Sequence, residues 1–255
     1  MRSVAKFILN AIPRPWLINL SILLRPFVYI LFKGSRFTDP IDGRSYRKFL
    51  PYGYGKPRLN ALSPGTLSLE RHRQMWLYLQ NETDFFQKKY KVLHVAPEQA
   101  FISRFKKLDN LDYLSTDLFS PIVDVRADVT NLPFQDESFD VIFCNHVLEH
   151  IVDDQQAMRE LYRVLRKGGW GILQVPIKTS LEKTYEDFSI TDKNERRKHF
   201  GQYDHVRWYG KDYFDRLERA GFSVEALYYS KKFSKEQREK YGLLENEILP
   251  VVHKN

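Results

Sequence analysis

The chain has 255 residues, 40 Lys+Arg against 32 Asp+Glu for a net charge of +8, 43% hydrophobic residues and a single cysteine. That length suits one large domain, or one domain with an extension, and a core of that size needs no covalent staples. The ordinary hydrophobic and charged fractions exclude disordered and collagen-like chains, and the lone Cys144 excludes an internal disulfide and any zinc site built on two or more thiolates.

The charge is uneven. Residues 1–80 hold 13 Lys/Arg and 3 Asp/Glu, a net +10, whereas residues 81–255 hold 27 and 29, a net −2. A basic N-terminal third fits a solvated face or contact with anionic lipid or another polyanion. Residues 7–32 are strongly apolar but are broken by Pro13, Arg14, Pro15, Arg25 and Pro26. Their longest run free of charge and proline, Trp16 to Leu24, is about half of the ~20 residues a spanning helix needs. Two short helices on a membrane surface are predicted, with Arg14, Arg25, Lys33 and Arg36 at the headgroups and Trp16 and Tyr29 at the interface. Packing on the protein's own body, a dimer arm and a true span are the alternatives. No small-residue cleavage site follows, so a secretory signal is not expected, and the expected location is cytoplasmic, peripheral on the inner face of the membrane.

Turn signals crowd residues 36–66, at Asp39–Gly43, Pro51–Pro57 and Ser63–Thr66, with a short strand predicted over Ser45–Leu50. A helix is predicted over Leu67–Leu79, with Leu69, His72, Met75, Trp76 and Leu79 on one face as core. From residue 90 strands and helices alternate. Strands are predicted at 91–95, 111–115 ending at Asp117, 123–127 ending at Asp128, 138–145, 171–176, 222–229 and 247–253. Helices are predicted at 98–107, at 153–167 where Gly168-Gly169 should end it, and at 211–220 closed by Gly221. The domain plan is an arm over 1–35, a small loop-rich module with a helix over 36–80, and the main domain over 81–255. Such alternation implies a mostly parallel α/β sheet covered by helices, whose ligands sit beyond the carboxyl ends of the strands.

The polar residues at those ends are therefore the candidates. Asp117 is placed to accept hydrogen bonds from ribose hydroxyls, and Asp128, one strand further, to meet an adenine amino group. Asn145, His146, Glu149 and His150 follow the fourth strand.

The string Asp128-Val-Thr-Asn-Leu-Pro-Phe-Gln-Asp-Glu-Ser-Phe-Asp-Val-Ile-Phe-Cys-Asn-His-Val-Leu-Glu-His-Ile151, followed by Glu160-Leu-Tyr-Arg-Val-Leu-Arg-Lys-Gly-Gly169, resembles the class I S-adenosylmethionine-dependent methyltransferases of the type 11 kind over roughly residues 90–230. The resemblance implies a Rossmann-like seven-stranded, mostly parallel sheet with its last strand antiparallel, and S-adenosyl-L-methionine as cofactor. It implies that Asp117 binds the ribose, that Asp128 with Val129 binds adenine, and that Asn145 and His146 line the methyl-donor end. The family's glycine-rich first motif is replaced by His94-Val-Ala-Pro-Glu-Gln-Ala100. Ala96 and Ala100 take the first and third glycine positions, and Glu98 is placed to receive the amino group of the cofactor's methionine part. His94, Ala96, Glu98 and Ala100 thus join the expected cofactor contacts. Residues 36–80 resemble a zinc-ribbon module found ahead of such enzymes, with Asp39, Asp42, Ser63 and Thr66 at the four ligand positions. Those side chains are poor zinc ligands, so a metal-free relic is expected and no metal is expected elsewhere.

Residues 199–211 pack His, Asp, Gln, Arg, Tyr and Trp between the fifth strand and the next helix. His205 is the candidate base or acceptor contact there, with Gln202, Asp204 and Arg207 as partners, against a plain structural loop. His146 and His150 are further candidates, since a base is needed only if the acceptor loses a proton as it attacks. The expected activity is methyl transfer to a small-molecule or lipid-linked acceptor. The alternative is an inactive methyltransferase-fold scaffold at the membrane surface. The absence of an Asn/Asp-Pro-Pro-aromatic motif speaks against a nucleic-acid substrate, and Ala96-Pro97-Glu98 speaks against a dinucleotide pyrophosphate site.

Overall fold

The computed structural model describes residues 27–53 and 57–255. The predicted membrane-surface segment lies outside the described residues as far as position 26, including Arg14, Trp16 and Arg25. Two compact units form, one of Met1–Trp76 with Phe233–Leu244 and one of Leu77–Lys232 with Glu245–Asn255. The segment 233–244, placed by sequence in the main domain, belongs to the first unit.

In the first unit, residues 27–32 are helical. Strand β1 (Lys33–Thr38) pairs antiparallel with β2 (Ser45–Tyr46), and β3 (Leu50–Tyr52) with β4 (Arg58–Leu62). The single strand predicted over 45–50 is thus two, each serving a different partner. Phe37, Tyr46 and Phe49 form a small core that takes in Tyr29 and Phe32. Tyr29, half-buried, meets the Tyr46 ring edge-on at 5.7 Å and so packs against this small core. Asp39, fully buried, accepts hydrogen bonds from the Ile41 N–H and the Thr66 and Ser68 hydroxyls. Asp42 accepts from the Tyr46 hydroxyl at 2.8 Å, and a side chain at Gly65 would run into that hydroxyl. The two turns expected to face each other therefore do meet, knitted by hydrogen bonds. Below them Arg73 is fully buried on helix α1 (Glu70–Asn81). Its guanidinium donates to the carbonyls of Ala61, Ser68, Tyr241 and Gly242. The last two close helix α6 (Lys235–Tyr241), which opens with a reciprocal Ser234–Gln237 capping box. Burial pushes the Arg73 pKa down to about 10, against the opposing pull of Asp39. No helix among the described residues is long and apolar enough to cross a membrane.

The second unit is built on β5 (Tyr90–Val95), β6 (Leu111–Asp117), β7 (Val125–Arg126), β8 (Phe139–Cys144), β9 (Leu165–Ile172), β12 (Ser223–Leu227) and β13 (Leu249–His253). They form one sheet in the order β12-β13-β9-β8-β5-β6-β7. β7, β6, β5, β8 and β9 run parallel, and β13 inserts antiparallel between β9 and β12. This is the seven-stranded, Rossmann-like sheet that the sequence implied. β5 and β8 are buried along almost their whole length, as central parallel strands must be. One face carries α3 (Asp154–Val164) and α5 (Tyr213–Arg219), with Ala157, Met158, Leu161, Tyr213 and Leu217 in the main core. The other holds a ring cluster in which Phe101 and Phe105 stack at 5.2 Å and Phe85 meets Phe143 edge-on at 5.4 Å. Connecting pieces are α2 (Ile102–Phe105), the hairpin of β10 (Tyr185–Glu186) with β11 (Arg207–Trp208), and α4 (Lys193–Phe200).

Two predicted helices shrink. The one over 98–107 keeps a single regular turn, because Pro97 and the motif ahead of it hold the chain in turns. The one over 153–167 stops at Val164, and Leu165–Lys167 become the start of β9. Gly168 and Gly169 are therefore not a helix end. Gly168 has φ 73°, and a Cβ on Gly169 would lie 2.9 Å from the Asp140 carbonyl oxygen. The glycines let β9 bulge against β8, where the register shifts between Phe139 and Val141.

Candidate active site

The first strand end carries a buried polar relay. His94 is fully buried on β5, with Nδ1 2.9 Å from the Tyr113 hydroxyl and Nε2 2.7 Å from Glu98 Oε2. The other oxygen of Glu98 accepts from Asn145 Nδ2 at 3.2 Å, and Asn145 Oδ1 accepts the Gln174 N–H at 3.2 Å. Tyr113, His94, Glu98, Asn145 and Gln174 thus link four neighbouring strands near their carboxyl ends. Ala96 sits at φ 48° with its N–H donated to the Thr116 carbonyl at 2.7 Å. That left-handed conformation is the physical reason for a glycine at this position, and alanine occupies it at a conformational cost. Ala100 is buried nearby.

Asp117 ends β6. Its Oδ1 accepts the N–H groups of Phe119 and Ser120 at 2.7 and 2.6 Å. Its Oδ2 accepts no hydrogen bond from a described residue. One oxygen therefore shapes the turn while the other is available to a diol. Asp128 is exposed two residues beyond β7, its Oδ1 holding Thr130 through N–H and hydroxyl at 2.9 and 2.8 Å. Val129 beside it is buried. The following loop is pinned by Glu160, which accepts the Leu132 N–H at 2.8 Å and a two-pronged contact from Arg163.

Beyond β8 a second polar cluster forms. His146 takes φ 55°, and its N–H donates to the Gln174 carbonyl at 2.7 Å. Its Nδ1 lies 3.2 Å from Glu149 Oε1, an ion pair when the imidazole is protonated. Glu149, 1% exposed, has neither carboxylate oxygen hydrogen-bonded to a described residue. Burial works to raise its pKa, but His146 and His150 outweigh it and hold the carboxyl below its ordinary value. The His150 ring meets that of His205 edge-on at 4.7 Å. His205 is buried, and burial lowers its pKa.

The partners predicted for His205 are arranged differently. Gln202 donates to Asp204, so those two pair with each other. Arg207 is fully buried and donates to the carbonyls of Leu148, Ile151 and Val152 and to Glu186. Three of its five donors clamp residues 148–152 and a fourth meets Glu186, so it steers the loop and not the histidine. His205 faces Glu149 and His150 instead. The sequence noted Glu149 only as a polar residue after a strand, and Tyr113 and Gln174 not at all. Nothing in a linear pattern signals that an acid in an apolar stretch is buried.

The parallel sheet with one antiparallel insertion, and acids at the ends of its second and third strands, define the class I methyltransferase fold. Residues 78–173 match the family model described as a methyltransferase domain, and S-adenosylmethionine is the cofactor of that class. The chain is 40% identical over 71 residues to an uncharacterized protein of Methanocaldococcus jannaschii, which is 27% of this chain and 31% of that one. It is 37% identical over 69 residues to the ubiquinone/menaquinone biosynthesis C-methyltransferase UbiE of Vibrio campbellii, 26% of this chain and 27% of that one. The chain thus spans about a third or less of the curated relatives it matches. Among solved structures it is similar to the 1,6-didemethyltoxoflavin-N1-methyltransferase of Burkholderia thailandensis, solved with 1,6-didemethyltoxoflavin and S-adenosylhomocysteine. That likeness covers 73% of this chain and 78% of that chain at 15% identity and a TM-score of 0.47. Another is an S-adenosylmethionine-dependent methyltransferase of Mesorhizobium loti, covering 70% and 96% at 15% identity and a TM-score of 0.47.

Proposed function

We propose that this protein transfers a methyl group from S-adenosylmethionine to a small-molecule or lipid-linked acceptor. The observation that carries the reading is the placement of Asp117, with one carboxylate oxygen free of described partners, at the end of the strand beside β5 in a class I sheet. In this reading Asp117 binds the ribose, and Asp128 with Val129 binds the adenine. Ala96 and Ala100 allow the backbone to approach. Glu98, steadied by His94 and Asn145, supplies the carboxylate that receives the methionine amino group. Asn145 and His146 border the sulfonium, and His146 and His205 face the acceptor. The donor is already activated, so positioning and exclusion of water supply most of the rate. The meeting of the Asp39–Asp42 and Ser63–Thr66 turns supports a zinc-ribbon-like module whose metal is replaced by hydrogen bonds.

Calorimetric titration with S-adenosylmethionine and S-adenosylhomocysteine tests the reading. Micromolar, one-to-one binding is expected. A folded sample that binds neither compound would overturn it and leave the scaffold alternative. Anionic vesicles added in a parallel titration test the membrane proposal for residues 7–32.

A further inference from the structure

We propose that Glu149, His150 and His205 form a binding site for a divalent transition-metal ion on the acceptor side of the methyl-donor pocket. One ligand atom from each residue can be chosen so that all three lie within 4.8 Å of one another. Two imidazoles and a carboxylate make a donor set suited to borderline ions such as zinc or cobalt, with further positions open to an exogenous oxygen. Metal–ligand bonds of about 2.0–2.1 Å require these atoms to close together by an ångström or more, within the reach of small side-chain rotations.

Independent observations point to a ligand. Glu149 is 1% exposed, and neither of its oxygens accepts a hydrogen bond from a described residue. His146 Nδ1 stands 3.2 Å from Oε1, and Oε2 is left for a further cation to meet. His205 Nδ1 is likewise buried and without a hydrogen bond. The Nδ1 of His150 is 3.2 Å from the Asp204 carbonyl oxygen, which as donor leaves Nε2 as a free lone pair. That is the outer contact by which metal-bound histidines are usually oriented. Arg207 clamps the carbonyls of Leu148, Ile151 and Val152 and so fixes the turn that presents Glu149 and His150.

The site deepens the proposed function and rests on it for its chemical consequence. An ion held by residues four and five past Asn145 would receive the acceptor's oxygen beside the sulfonium methyl. The acceptor class is then a hydroxyl compound with a second oxygen able to chelate, a vicinal diol or catechol. Metal binding lowers the hydroxyl pKa, and the proton leaves to water. The resulting oxyanion attacks the methyl carbon, an O–CH₃ bond forms, and the S–CH₃ pair remains on sulfur as the neutral thioether of S-adenosylhomocysteine.

The test uses the full chain, free of affinity tags and stripped with chelator, titrated with Co²⁺ alone and followed by visible absorption. One equivalent of Co²⁺ with ligand-field bands of an N/O site is expected. His150→Ala and His205→Ala should each weaken binding by at least about tenfold, while His199→Ala, on exposed α4, leaves it unchanged. Absence of stoichiometric binding by the folded wild type overturns the proposal, as does unchanged affinity in both variants. His150 is partly exposed, so its variant keeps the test decisive if His205→Ala fails to fold. S-adenosylhomocysteine titration of the same samples separates the two readings. Co²⁺ binding without cofactor binding sinks the methyltransferase reading alone, and the converse sinks the metal site alone.

Discussion

Replacing Asp117 by Asn tests the cofactor seat most directly. The carboxylate does two jobs. Oδ1 holds the N–H groups of Phe119 and Ser120 at 2.7 and 2.6 Å, and in the proposed reading Oδ2 receives the ribose. Asparagine keeps a carbonyl oxygen for the turn but removes the charge and puts an NH₂ where the diol donates. The loss is that of a charge-assisted hydrogen bond, about 1.5–3 kcal/mol, or roughly 10- to 150-fold in Kd. Asp117→Ala removes the turn contacts as well, so it should lose at least as much affinity and also lower Tm. Calorimetric titration with S-adenosylhomocysteine, alongside thermal denaturation of each variant, reads both effects. A Kd for Asp117→Asn within twofold of wild type, in a sample of unchanged Tm, would refute the assignment of the ribose to β6.

Arg207→Ala strips a buried guanidinium from Glu186 and from three carbonyls, so unfolding in urea should show a loss of about 3–5 kcal/mol. A loss below about 1 kcal/mol would mean the clamp is not structural. Ala96→Gly relieves left-handed strain of about 1–2 kcal/mol and gives back about 0.5–1 kcal/mol in chain entropy. Tm should therefore hold or rise slightly, and a clear fall would contradict the strain argument. The Glu160 carboxyl is held below its ordinary value of 4.5, chiefly by the Arg163 hydrogen bond. Its folded pKa lies below its unfolded one, so its contribution is full above about pH 4.5 and fades as pH falls through the folded value. Glu160→Gln should lower stability at neutral pH and flatten the acid limb of a Tm–pH profile; parallel profiles for the two proteins would dispose of the idea.

The order of strands and helices beyond residue 90 was legible because its signals are local. Alternating apolar residues, helical spacing in 153–164 and acids at strand ends need only near neighbours to act. Asp117 and Asp128 stood out at strand ends for that reason, and Ala96 stood out because it replaces a family glycine, at a position where the backbone is left-handed. Other features depended on which faces meet. Gly168-Gly169 carries the same local signal for a helix stop as for a strand bulge, and only pairing with β8 chooses the bulge. Tyr29 has an amphipathic ring suited to a lipid interface, yet an aromatic core was within reach. Arg207 reads as a loop cation but is fully buried, because three carbonyls of a segment some 55 residues away converge on it. Sequence alone determined the order of the sheet and the acids at its strand ends, since these follow from backbone periodicity and turn preference, while the class of chemistry came from the resemblance of the 128–169 string to a family. Tertiary structure decided the second polar cluster beyond β8. Glu149, His150 and His205 come together only through packing between distant segments, which no local pattern encodes.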